Sequence, residues 1–347
     1  MPEVIATSFV KRCFLLFTIA LTVQHLFGQK ETSEWFLYPD KHYTFSGTGP
    51  VDKSPSPVFI EGTGASICDS AGNLLLFTST TGSFNSRVYD RKYNLLPYFK
   101  SMDIFLRADN PNVFFVRRPG YPQQYYLFYS SVTSDGLGHN SSMLQYSLID
   151  LSLNNGYGDV ISADVKVDSA ISYGFTISRK DRSEDFWLVT HKPGTDHFNT
   201  WLVDPSGIAS SPVESVAGQN PFKEQYRFDE MKTSPNGKII AGTTHFVDYA
   251  DAFLGSSWFI EVFDFDEHSG KISSRVRSIN YKYVNAAFSH LEFSPDNRLV
   301  YAYYIGLALG LQPCGYGAGD LYQYNLCYKD SISFSNYAQR LGSSFSF

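Results

Sequence analysis

The sequence predicts an all-β chain, a β-propeller of four-stranded blades with five repeats visible. Three observations predict it. A set segment order returns every 50 to 60 residues or so, a spacing that belongs to arrays and propellers. The apolar runs are short and rich in β-branched and aromatic residues. Turn formers separate them, and beyond residue 28 no helical apolar period of useful length appears. A sandwich does not predict an internal repeat of this length, which favours blades around an axis.

Each unit places a turn before a very apolar second strand. These stretches read SAGNLLLFTS (70–79), YPQQYYLFYS (121–130), RSEDFWLVTH (182–191), PNGKIIAGTT (235–244) and PDNRLVYAYY (295–304). Their first apolar residues are Leu74, Tyr125, Phe186, Ile239 and Leu299. Such continuous runs suit strands buried on both faces. A third strand follows around Val88, Leu144, Trp201, Ile260 and Leu321. Asp90, Asp150, Asp204 and Asp266 close it in four copies, and Asn325 takes that place in the fifth. A carboxylate or amide there can accept turn N–H groups, so the recurring acid is expected to be structural. In WFIEVFDFD the third strand alternates, which predicts an outer, less enclosed strand.

The chain has 28 Lys and Arg against 34 Asp and Glu, a net charge of −6. Without clustered cations it is a poor nucleic-acid binder. Aromatics make up 16% of the residues, ample apolar surface for a large core, which excludes disorder for most of the chain. Lys11 and Arg12 precede an apolar run from Cys13 to Val23, and the small Gly28 stands before Gln29. That is the layout of a secretory signal peptide, and the run is too short to span a bilayer. The expected organisation is therefore a signal peptide over 1–28 and an N-terminal segment over 29–60 able to add a ring-closing strand. Propeller repeats over 61–335 and a tail over 336–347 follow.

Read in order, EGTGASICDSAGNLLLFTS, YYLFYSS, LQYSLIDLSLNNGYGDVIS, DFWLVTHKPGTDHFNTWLVDPSGI, MKTSPNGKIIAG, IEVFDFDEHSGKIS, LEFSPDNRLVYAYY and DLYQYNL cover roughly residues 35–326. Together they resemble the N-terminal propeller region of large Bacteroidetes surface proteins. Those proteins commonly end in a type IX secretion (type B, gliding-motility-associated) sorting domain. The resemblance implies a secreted or surface-attached propeller, usually without assigned catalysis. Family members continue past LYQYNL with another Gly-rich blade and further domains, whereas this sequence ends at Phe347. The expectation is a truncated version of a larger ring.

Candidate site residues are few. His191 and His245 end second strands at equivalent positions, and His290 lies in a first strand of the fifth copy. Histidines converging on one rim could meet a ligand, though rim histidines bonded to backbone are the commoner case. Tyr249, Phe253 and Tyr316 stand in loops of variable length, where propellers build binding faces. Cys68, Cys314 and Cys327 follow the signal. A Cys314–Cys327 bridge in oxidising space and three buried thiols are equal alternatives. Asp264, Asp266 and Glu267 cluster without calcium-loop spacing, and GTGP (47–50) and GYGAG (315–319) open no helix. No nucleophile elbow, P-loop or zinc motif occurs, so no cofactor, metal or catalytic residue is assigned. The expected function is a binding or scaffolding module at the cell surface, with an envelope protein or surface polysaccharide as partner. The alternative is a glycan-directed extracellular hydrolase with a carboxylate pair in the central funnel.

Overall fold

The computed structural model describes residues 33–37, 40–46, 49–59, 64–81, 85–100, 104–105, 113–134, 140–181, 183–218, 226–247, 256–280, 286–306 and 319–345. Among them lie six antiparallel sheets in chain order. The first holds β1 (Glu34–Leu37), β2 (Lys41–Ser46) and β3 (Gly49–Asp52), and the second β4 (Ser66–Cys68), β5 (Leu74–Thr81), β6 (Asn85–Asp90) and β7 (Ile104–Phe105). The third holds β8 (Val113–Arg117), β9 (Gln124–Ser134), β10 (Asn140–Asp150) and β11 (Asp159–Ile171). The fourth holds β12 (Thr176–Arg179), β13 (Phe186–His191), β14 (His197–Asp204), β15 (Gly207–Ile208) and β16 (Val213–Val216), the last two both pairing with β14. The fifth comprises β17 (Arg227–Thr233), β18 (Ile239–Val247), β19 (Ser256–Asp266) and β20 (Lys271–Asn280). The sixth comprises β21 (Ala286–Phe293), β22 (Leu299–Gly306), β23 (Gly319–Asn325) and β24 (Gln339–Phe345). A short helix α1 (Ser331–Asn336) stands before β24, capped by Asp330, whose carboxylate accepts from the Ser333 amide.

Among the described residues the protein is thus a β-propeller with six blades, of three to five strands, where the repeats predicted five. The extra blade comes from the N-terminal segment. Glu34 to Asp52 pair with one another rather than lending one strand elsewhere, so they make a sheet of their own. Gln339–Phe345, in the expected tail, completes the sixth sheet by pairing with β23. Weak alternation and the turn formers Gly342, Ser343 and Ser344 within RLGSSF hide that strand.

Hydrogen bonds one repeat apart join the blades. Leu291 N donates to Glu230 Oε2 (2.7 Å), Asn236 N to Asn297 Oδ1 (2.8 Å), Tyr98 N to Asp159 Oδ1 (3.0 Å) and Gly120 N to Glu184 Oε2 (3.3 Å). First strands of neighbouring blades touch, β1 with β4, β4 with β8, β12 with β17 and β17 with β21. These strands form the inner ring.

Buried side chains lie between successive blades, the arrangement that lets a sheet bury both faces. Phe36, Cys68, Leu74 and Phe77 join the first and second blades, and Leu76, Leu127 and Tyr129 the second and third. Phe128, Phe186, Phe228 and Phe263 tie the third to the fifth, and Ile260, Val262, Val300 and Phe334 the fifth to the sixth. Every residue of β13 is buried, as its unbroken apolar run predicts. The third strand departs from expectation. Phe259 to Phe263 are all buried, because β19 points Phe263 and Phe265 toward one neighbouring blade and Ile260 and Val262 toward the other. The less enclosed strand is the fourth, as the alternating exposure of β11 shows.

The third-strand acids behave as predicted. Asp90, Asp150, Asp204 and Asp266 accept the amide two residues on (Lys92, Ser152, Ser206 and His268, at 2.7, 2.8, 2.8 and 3.1 Å), and Asn325 Oδ1 accepts from Cys327 N (2.9 Å). Side-chain hydrogen bonds from Ser152, Ser206 and Ser269 hold the Asp150, Asp204 and Asp266 carboxyls below their ordinary range. Replacing Asp204 with Ala should cost about 1 kcal/mol in urea unfolding. Asp204→Asn should cost little, since Asn325 already serves that role; equal losses for both variants would refute the turn assignment.

Candidate functional site

The polar groups that stand out are on the inner ring. In β17, RFDEMKT, Glu230 and Lys232 flank the buried Met231, and in β21, AAFSHLEF, His290 and Glu292 flank the buried Leu291. Two-residue spacing puts each pair on one face of its strand. Because β17 and β21 are neighbours in the ring, the two pairs meet.

Glu230 is 3% exposed. Its Oε2 accepts the Leu291 amide, and its Oε1 lies 3.7 Å from Lys232 Nζ and 4.0 Å from His290 Nδ1. Lys232 Nζ also lies 3.8 Å from Glu292 Oε2. The ammonium therefore bridges a buried carboxylate and an exposed one. Burial works to lower the Lys232 pKa, but Glu292 and Glu230 outweigh it and hold the group above its ordinary value. Lys232 stays charged and is no nucleophile at neutral pH.

These residues line a cavity of about 260 Å³ together with Leu291, Tyr301, Tyr303 and Leu321. Register sets Tyr301 opposite Glu292 and Tyr303 opposite His290. Burial raises both phenol pKa values, helped by Asp296 at Tyr301 and Asp320 at Tyr303, so both hydroxyls remain neutral donors. Half-buried rings beside a mixed set of donors and acceptors can stack on and hydrogen-bond a polar ligand. The Lys232 ammonium stands between the two carboxylates.

His191, offered as a ligand-face residue, is fully enclosed. Its Nδ1 accepts from Ser172 Oγ (2.8 Å) and its Nε2 donates to Thr195 O (2.8 Å). Its ring packs edge-on against Phe198, Tyr226 and Phe228. Burial pushes its pKa down to about 3, so the imidazole is neutral. The apolar FWLVTH run carried His191 into the core rather than to a rim. His245 lies on β18 in register with Arg227 and Trp258. His290, exposed, is the histidine that reaches the inner groove. Tyr249, Phe253 and Tyr316 lie outside the described residues, as does Cys314. Cys327 is an exposed free thiol, and Cys68 a buried one whose pKa burial raises to about 11.

The groove residues Glu230, Lys232 and Glu292 were missed because the repeat was anchored on second and third strands. Charged residues alternating with apolar ones inside a first strand are the signal that could have found them. A further cluster, Asp181, Glu267 and His268, joins neighbouring blades at an outer turn. His268 bonds Asp181 there, and Lys238 Nζ lies 3.8 Å from Glu267, so both acids already have partners. Among the described residues no helix is long and apolar enough to cross a membrane.

No protein-family model matches the chain, and no curated protein does. Solved structures that align with it include an oligogalacturonate lyase in complex with manganese, at 10% identity and a TM-score of 0.41 over 88% of this chain and 74% of that one. A member of the DUF4221 family from Bacteroides vulgatus aligns at 8% identity and 0.40, over 78% of this chain and 85% of that one. A quinoprotein alcohol dehydrogenase-like protein from Bacteroides thetaiotaomicron aligns at 13% and 0.41, over 92% of this chain and 62% of that one. At these identities and scores the likenesses decide nothing about chemistry, and the propeller assignment rests on the sheets themselves.

Proposed function

We propose that the protein is an exported β-propeller that binds surface polysaccharide in the groove between its fifth and sixth blades. The observation that carries this reading is the meeting of Tyr301 and Tyr303 with Glu230, Lys232, His290 and Glu292 in one concavity. Sugar rings stack on tyrosine, and their hydroxyls use carboxylate acceptors and ammonium donors together. Export rests on the signal layout of residues 1–28, and surface placement on the resemblance to type IX secretion cargo. His245 on β18, with Tyr249, Phe253 and Tyr316, extends the same proposal to a second ligand face, and oxidation of the free Cys327 thiol with Cys314 would add a bridge in the exported form. Glycan arrays and calorimetry test the groove. Tyr303→Ala and Glu292→Ala should each weaken the best glycan by about tenfold, with melting unchanged. An empty array, or variants that bind like the parent, would overturn the reading. N-terminal sequencing of exported protein should begin at Gln29.

The sharing of one groove by Glu230 and Glu292 favours a second reading, hydrolysis of a glycan by a carboxylate pair. It alone predicts turnover that Glu292→Gln abolishes. Lys232 between the acids favours binding, since its ammonium is placed to donate to ligand hydroxyls beside both carboxylates.

A further inference from the structure

A second cavity, of about 530 Å³, opens between the turns that follow β6 and β10, in the second and third blades. Asp90, Tyr93, Asn94, Leu95 and Pro97 line it from one blade and Asn154 and Tyr157 from the next. Its size lies within the range of small-molecule sites. Asp90 is 2% exposed and turned into its own loop, where it accepts from the Lys92 and Asn94 amides and from Asn94 Nδ2 (3.2 Å). Its carboxylate is therefore already engaged. The side chains of Asn154 and Tyr157 make no hydrogen bond to the described residues. Two exposed cations converge on Tyr157, the Arg91 guanidinium 5.0 Å and the Lys92 ammonium 4.5 Å from the ring centroid. Neither cation forms a salt bridge with a described residue. The opening thus presents unspent amide and phenol groups, with two cations beside it on the Tyr157 ring.

The geometry points to a binding site here for an acidic carbohydrate, a sugar ring that carries a carboxylate. Arg91 and Lys92 supply the charge that meets the carboxylate. Asn94, Asn154 and the Tyr157 hydroxyl meet the ring hydroxyls. Aromatic contact alone would not select charge, and cations alone would not select a sugar. The site is separate from the groove between the fifth and sixth blades and stands whether or not that groove binds glycan.

The test is calorimetric titration of the full chain with a hexuronate tetrasaccharide, with its neutral hexose counterpart and with inorganic sulfate. The acidic sugar should bind at least about tenfold more tightly than either control, and binding should weaken as salt rises to roughly 0.5 M. Arg91→Gln with Lys92→Gln should remove that preference, both positions being exposed and safe for the fold. Asn154→Gly should also weaken binding, because glycine keeps the left-handed φ of 50° while removing the amide. Tyr303→Ala should leave it intact, which separates this site from the inner groove. Equal affinity for the neutral sugar, sulfate binding as tight as the uronate, no binding at all, or a charge-neutralised pair that binds like the parent would each overturn the assignment.

Discussion

Gly174→Ala is expected to destabilise the protein strongly. Gly174 lies between β11 and β12, where the fourth blade meets the fifth. A methyl built there would stand 2.9 Å from the Glu230 carbonyl carbon and 3.0 Å from its Cα and nitrogen. All three are backbone atoms, so no side-chain rotation relieves the overlap. The two blades must part locally. The hydrogen bond from Gly174 N to Phe228 O (2.8 Å) is strained first, in a site lined by the fully buried Phe175 and Phe228. Overpacking of this kind costs about 1–3 kcal/mol, and the lost bond adds about 1. The displacement also reaches Glu230, whose carboxylate holds the Leu291 amide and lines the inner groove. Urea unfolding should therefore show a loss of about 2–4 kcal/mol, with weakened groove binding in what remains folded. Parental stability would mean that the blades are looser here than the backbone contact implies.

The second large effect is acid sensitivity centred on His191. Its folded pKa, near 3, lies well below the unfolded value of 6.5, because burial disfavours the imidazolium. The unfolded chain therefore takes up a proton that the folded chain refuses. The neutral ring contributes stability in full above about pH 6.5, and that contribution falls as pH drops toward 3, by about 1.4 kcal/mol per pH unit. The depressed turn carboxylates Asp150, Asp204, Asp266 and Asp296 act in a lower window, below about pH 4. Between pH 6 and 4.5 the slope should thus come mainly from this one residue. Unfolding free energy measured across that interval should decline by roughly 2 kcal/mol in the parent. His191→Gln should start lower, since it disturbs the bonds to Ser172 and Thr195, but it should lose the slope. A variant that keeps the parental slope would place the titrating group elsewhere.

Much of the fold was written in the sequence because local chemistry repeats. Leu74, Phe186, Ile239 and Leu299 begin β5, β13, β18 and β22, and the Asp and Asn markers close β6, β10, β14, β19 and β23. Turn formers, strand-forming runs and Asx turns act within a few residues, so they can be read one unit at a time. The N-terminal blade lacks these markers. It is held by a buried pair, His42 Nε2 against Glu34 Oε2 at 2.5 Å, with the His42 ring stacked on Phe36. No spacing in the sequence announces that pairing.

The sequence by itself determined the second and third strands of five blades and the turn chemistry between them, since each depends on neighbours along the chain. Only the tertiary structure decided the blade count, the enclosure of β19 and His191, and the meeting of Glu230 and Lys232 with His290 and Glu292. Those features depend on which faces neighbouring blades cover. That is set by contacts between residues one repeat apart, where side chains distant in sequence share one desolvated space.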